Sequence, residues 1–223
     1  MARMGLIAGV LWAVAVPATA QDIERGFGGA LIGVSTLSAD GRSVTSSTDA
    51  SLSLYKPENG LAVNVFGGWH LANYFSVQAN YMWNRNDLTL VSSFVTPSGG
   101  GFYDQQRTSE QHVFVADTLV YFRRLDSRIR PYLGTGLAII RFASRDIERT
   151  VTNNLPAPQA DIAATKVGLR SHVGIDFRLS RRVSFRYSFS ETISGNPISP
   201  ALTPEGERRL ANFQNLFGFV MHF

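Results

Sequence analysis

Ser188-Phe189-Ser190-Glu191 puts two hydroxyls and a carboxylate within four residues, the closest this chain comes to a nucleophile cluster. A serine hydrolase needs such a hydroxyl, a histidine to take its proton and a carboxylate to orient that histidine. The histidines are scattered at His70, His112, His172 and His222, and their spacing matches no metal-ligand pattern. His112 has Glu110 nearby but no fixed serine. His172 adjoins Ser171, yet neighbours on a strand point to opposite faces and cannot form a dyad. A second constellation is charged. Arg170, His172, Asp176, Arg178 and Arg186 recur at alternate positions, and Asp117 is expected to face the same way. Guanidinium set against carboxylate makes strong charge-assisted bonds, which is the chemistry of pairing rather than turnover.

The elements that must position these groups read as strands. Val183, Phe185, Tyr187 and Phe189 alternate with Ser184, Arg186, Ser188 and Ser190, dividing an apolar face from a polar one. Phe75, Val77, Ala79, Tyr81 and Trp83 likewise oppose Ser76, Gln78, Asn80, Met82 and Asn84. Val167, Leu169, Val173, Ile175 and Phe177 oppose Gly168, Arg170, His172, Gly174 and Asp176. Eight strands are expected, at 27–37, 60–70, 74–84, 110–123, 130–143, 166–179, 182–190 and 209–223. Tight turns join them at Leu71-Ala72-Asn73, near Leu125 to Ile129 and near Ser180-Arg181. Long polar stretches at 38–59, 85–109, 144–165 and 191–208 carry the turn-formers, among them Asp40-Gly41, Pro97-Ser98-Gly99-Gly100-Gly101 and Asn196-Pro197. Short and long connections alternate strictly, as in a membrane barrel with short periplasmic turns and four long extracellular loops. The expected fold is therefore an all-β, eight-stranded antiparallel transmembrane barrel.

The N-terminus supports export. Arg3 gives a positive start, Met4 to Val16 an uncharged apolar run, and Ala18-Thr19-Ala20 a small-x-small cleavage pattern, so residues 1–20 are expected to be removed before Gln21. Residues 21–223 then form one domain-sized unit without a run long enough for a transmembrane helix. There is no cysteine, which leaves neither a disulfide framework nor a thiolate metal site. The formal net charge is +4. Export and the placement of the charge argue against nucleic acid, since much of it sits in Arg123/Arg124/Arg128/Arg130 and Arg178/Arg181/Arg182, beside two short turns. Such clusters suit phospholipid headgroups at the periplasmic rim.

A soluble barrel would also alternate, with its apolar face inside. Three features decide for the membrane. Phe213, Phe217, Phe219, Met221 and Phe223 share one face of the last strand, a surface that would be an aggregation hazard in water. Aromatics gather at strand ends (Trp69, Tyr74 and Phe75; Tyr121, Phe122 and Tyr132; Phe177), as interfacial girdles do. The charged set then belongs in the lumen, where it must be paired. An eight-stranded lumen is about wide enough for side chains to fill, so an open diffusion pore is not expected.

Gly67-Gly68-Trp69 into Tyr74-Phe75-Ser76-Val77-Gln78, Tyr121-Phe122 through Pro131-Tyr132-Leu133-Gly134-Thr135-Gly136, Gly174 to Ser180 into Val183 to Tyr187, and the final Phe223 together carry a resemblance. The chain resembles the small outer-membrane β-barrel family, which includes the barrel domain of OmpA and the opacity-type and Omp25-like surface antigens. The resemblance implies a Gram-negative outer-membrane location and a last strand read by the barrel assembly machinery through Phe217, Phe219 and Phe223. It further implies a structural or envelope role with adhesive or antigenic loops, lipopolysaccharide and phospholipid as neighbours, and a host or environmental ligand at the loops. No catalytic residue, cofactor or metal is expected, nor a peptidoglycan-binding domain beyond the last strand. Two alternatives stand beside this one. The first is a narrow ion channel, if the lumen ion pairs rearrange. The second is a lipid A-modifying enzyme, because Ser188 to Glu191 followed by Asn196-Pro197 is similar to the outer-membrane lipid A deacylases. That family has a histidine two residues before its serine. Here Arg186 and Ser188 hold those positions, and arginine cannot act as the base.

Overall fold

A computed structural model describes residues 25–38, 42–45, 50–96, 99–152, 160–202 and 208–223. The expected signal segment, with Ala18 and Ala20, lies outside the described residues. Ten strands form one antiparallel sheet: β1 (Gly26–Ser38), β2 (Arg42–Thr45), β3 (Ala50–Pro57), β4 (Asn59–His70), β5 (Phe75–Thr96), β6 (Gly99–Tyr121), β7 (Ile129–Thr152), β8 (Asp161–Arg178), β9 (Val183–Gly195) and β10 (Arg209–His222). Eight of them close into a ring in the order β5-β4-β1-β10-β9-β8-β7-β6, completed by the β5–β6 ladder. Closure gives every barrel strand two partners, so no edge faces the bilayer with unpaired amides.

The register fixes the shape. Starting at Thr36, the pairing runs through Phe213, Glu191, Ser171, Thr135, Thr118, Val77 and Trp69 and returns to β1 at Gly26. The circuit comes back ten residues lower on its own strand. A stagger of that size over eight strands tilts them by about 40° from the barrel axis.

The three alternations read from the sequence hold along β5, β8 and β9, with Gln78, Asn80, Arg170, Asp176 and Arg186 buried inward and Val77, Tyr81, Leu169 and Tyr187 exposed outward. On β6, odd-numbered residues from Tyr103 to Tyr121 face in, which settles Asp117. The outer wall is an apolar band, reaching from Phe223, Phe122 and Leu179 up to Leu61, Ile139, Val167 and Ile193.

The structure corrects the outer loops. Residues 85–109, expected to be an irregular polar loop, instead continue β5 and β6 as one hairpin, paired from Phe75↔Val120 to Thr96↔Gly99. β7 likewise runs on to Thr152, with one register shift between Gln106 and Arg107 on its partner β6. Within the expected 38–59 loop, β2 pairs with β3, and β3 pairs with the upper half of β5 above the point where β4 ends. The wall from β3 through β7 therefore stands well above the rest of the barrel. A strand that only crosses the bilayer needs about 9–11 residues. In the molecule the ladder continues because each outer segment keeps its alternation.

Candidate functional site

The lumen is filled in layers. At the periplasmic end, Arg186 sits on Asp176 through two bonds, Nε to Oδ1 at 2.6 Å and Nη2 to Oδ2 at 2.8 Å. Its Nη1 donates to Gln78 Oε1 at 2.8 Å and its Nη2 to Tyr121 Oη at 3.0 Å. The guanidinium thus spends its fork on a carboxylate, an amide and a phenol, and its carbon lies 4.8 Å from the Phe66 ring centroid and 5.0 Å from that of Tyr132. Arg130 stacks on the Tyr121 ring at 3.7 Å. Below them His70 bonds Ser76 (2.6 Å) and His222 bonds Ser184 (2.9 Å).

The middle layer centres on Asp117. Arg170 Nη1 donates to its Oδ2 at 2.5 Å, and Asn80 Nδ2 donates to the same oxygen at 2.9 Å. His172 Nε2 lies 3.4 Å away. Asn80 also accepts from Asn64 and from Gln78, which ties this layer to the one below. Glycine makes the space here. A Cβ on Gly136 would strike Asp117 and the Ala116 carbonyl, and one on Gly134 would strike the His172 ring. Above lies an amide layer, where Asn212 donates to Asn84 and Gln111 and accepts from Ser35, and Asn84 donates to Asn86.

An apolar cap closes the outer end. Tyr55, Leu88, Leu90, Tyr103, Phe142 and Leu210 face inward from five strands. Ile198 and Leu202, at either end of the short 3-10 turn Ser199–Ala201, pack against them. Burial there pushes the Tyr55 phenol above the usual tyrosine range.

Of the charged residues singled out from the sequence, the structure joins Arg186 to Asp176 and Arg170 to Asp117, with His172 beside the second pair. Arg178 stands apart. It lies half-buried at the periplasmic end of β8 and donates to the Leu125 carbonyl of the neighbouring turn. Two further corrections concern the rim. Arg130 is buried in the lumen rather than facing headgroups, and Tyr121 and Tyr132 line the lumen rather than a girdle. Arg123, Arg124, Arg128, Arg181 and Arg182 remain exposed at the turns. Tyr121 shares the parity of Asp117, so the same alternation could have placed it.

Ser188 and Ser190 point into the lumen and Glu191 to the outside, so the three do not share a face. Ser190 lies across the ladder from His172, a neighbour that adjacency in sequence conceals, but no hydrogen bond joins them. Phe217, Phe219 and Phe223 are all exposed on the outer wall. Among the described residues no His, Cys, Asp and Glu group could hold a metal.

A family model described as outer membrane protein beta-barrel domain matches residues 6–217. No curated protein matches the chain. Among solved structures the chain is similar to Neisserial surface protein A, at 13% identity over 89% of this chain and 97% of that one, with a TM-score of 0.53. It is similar also to the outer membrane protein OprG from Pseudomonas aeruginosa, at 13% identity over 90% and 97%, with a TM-score of 0.51. At that identity the likeness is one of fold.

Proposed function

This chain belongs to the outer-membrane protein β-barrel domain family, and from that premise we propose an envelope protein with a closed lumen whose binding surface is the raised outer wall. Its location is the Gram-negative outer membrane. The observation that carries the proposal is the stacking of ion-pair, amide and apolar layers across the lumen among the described residues. A barrel filled in this way is a rigid support. Binding on such a support concentrates in the segments it holds out. Lipopolysaccharide and phospholipid surround the wall. The barrel assembly machinery reads the last strand at Phe217, Phe219 and Phe223, and a host or environmental ligand meets β3 to β7 above the bilayer.

Purified protein in a planar bilayer should show no discrete conductance steps. Steady unitary steps from the unmodified protein would replace this reading with a narrow channel. A lipid A mass spectrum from membranes with and without the protein should be unchanged, since Ser188 and Ser190 face away from the bilayer.

A further inference from the structure

The periplasmic mouth of the lumen gathers more positive charge than it neutralises. Arg186 is matched by Asp176 and, one layer higher, Arg170 by Asp117. Arg130 and Arg178 share that end of the lumen, from β7 and β8, and no further carboxylate faces it among the described residues. Asp126, at the β6–β7 turn, is exposed and lies beside Arg124. The mouth therefore holds two cations in excess, whereas enclosed charge is ordinarily paired.

These cations are also short of hydrogen-bond partners. Among the described residues Nε and Nη1 of Arg130 have none, nor has Nε of Arg178. Each guanidinium is held instead by one backbone carbonyl: Arg130 Nη2 reaches that of Asn73 at a long 3.5 Å, and Arg178 Nη2 reaches that of Leu125. His70 adds a third unmet group. Ser76 engages its Nδ1 at 2.6 Å and Phe27 stacks on its ring, which leaves Nε2 without a partner. With Ser76 donating to Nδ1, Nε2 carries the ring proton. Beside these groups lies a cavity of 200 Å³, lined by Arg25, His70, Ala72, Asn73 and Leu125. A water molecule takes about 30 Å³, so the space admits a polyatomic ion. Two of its lining residues are those whose carbonyls hold Arg130 and Arg178, so both guanidiniums stand behind its wall.

We propose that this mouth is a binding site for a phosphate group, free in the periplasm or carried on the headgroup of a phospholipid in the periplasmic leaflet. Arg25, Arg130 and Arg178 supply the charge, and His70 Nε2 supplies a neutral donor. They approach from the start of β1 and from β7, β8 and β4. Donors arrayed around a ring suit a tetrahedral oxyanion better than a planar carboxylate, and the arginine fork matches phosphate through paired N–H bonds. The long bond to Asn73 is the one that yields, as Arg130 exchanges that carbonyl for the anion. Arg123, Arg124, Arg128, Arg181 and Arg182, by contrast, are exposed on the turns and offer a lipid surface only a diffuse attraction.

Protein purified from outer membranes into a maltoside detergent, which carries no phosphate, serves both arms of the test. In one, inorganic phosphate is titrated at fixed ionic strength while the 15N signals of the His70 ring and the arginine side chains are followed. A saturable shift that acetate does not reproduce assigns the free anion. In the other, the native mass spectrum is recorded, and one phospholipid retained per barrel assigns the headgroup. Arg130→Gln and Arg178→Gln should each weaken the phosphate about tenfold, or strip the retained lipid, while Arg181→Gln on the exposed turn should do neither. Arg25→Gln serves if Arg130→Gln loses its heat-modifiable gel mobility. Absence of both the phosphate shift and the retained lipid, an equal response to acetate, or an equal loss from Arg181→Gln would overturn the proposal.

Discussion

At the scale of single residues, the lumen is held by charges that cannot be removed one at a time. Arg186 satisfies Asp176 on both oxygens while also bonding Gln78 and Tyr121. Arg186→Leu leaves a buried carboxylate without its cation, a change that costs about 3–5 kcal/mol. Urea unfolding of the barrel in lipid vesicles should show that loss, and Arg186→Leu with Asp176→Leu should recover at least half of it. Two glycines give a sharper contrast. Alanine at Gly136 meets the Ala116 carbonyl, which is backbone, whereas alanine at Gly134 meets the His172 ring, which can swing. Gly136→Ala should lower stability by about 1–3 kcal/mol, and Gly134→Ala by clearly less, in the same unfolding assay. The charged residues of β8 and β9 were legible because alternation fixes facing. Alternation does not name a side chain's partner, and Arg178 bonds the Leu125 carbonyl rather than a carboxylate.

Strand facing was the most legible property of the elements, and strand length the least. Leu88, Leu90, Tyr103 and Phe142 keep the alternation going far above the bilayer, but a strand sized to cross a membrane is expected to end earlier. The glycine run after Pro97 suggested an irregular loop, while in the fold Gly99, Gly100 and Gly101 pair with Thr96, Val95 and Phe94. Residues far apart in sequence, such as Tyr55, Leu90 and Ile198, meet in the cap through ring closure, which no local pattern reveals. Because Val91 pairs with Asp104, deleting residues 92–103 and bridging them with a two-residue turn keeps the register below. That shortened protein should fold and retain heat-modifiable mobility while losing attachment to whatever surface the full protein binds. Leu90→Ala, which leaves the hairpin intact, should cost about 2–5 kcal/mol as a core truncation, measured by the same urea titration.

For the molecule as a whole, the sequence reading reached the compartment through the export segment and the apolar face of the last strand, the strand count through alternation and turns, and the filled lumen through the narrowness of an eight-stranded wall. The raised wall gives the barrel one tall side and one low side. Ligand contact is therefore expected from β3 to β7, and antibodies raised against intact cells should map there before they map to β8–β10.

Seven of the eight ladders in the ring join strands that are neighbours in the chain or separated by one short hairpin, and the eighth joins its beginning to its end. Gly26 and Phe223 exchange two backbone hydrogen bonds at 2.9 Å each, and β1 pairs with β10 from Phe27↔His222 to Ser38↔Ala211. The first barrel strand made must therefore wait, unmated on one side, for the last. Until then the molecule is a curled ribbon with two complementary free edges, each able to mate with the wrong chain. Loop-closure entropy and high contact order make that final step slow. A permuted chain, with Phe223 linked to Gly26 through a short turn and new ends opened at residues 97–98, turns the slowest ladder into a local one. It should refold into lipid vesicles faster than the natural order, by the appearance of the heat-modifiable form over time.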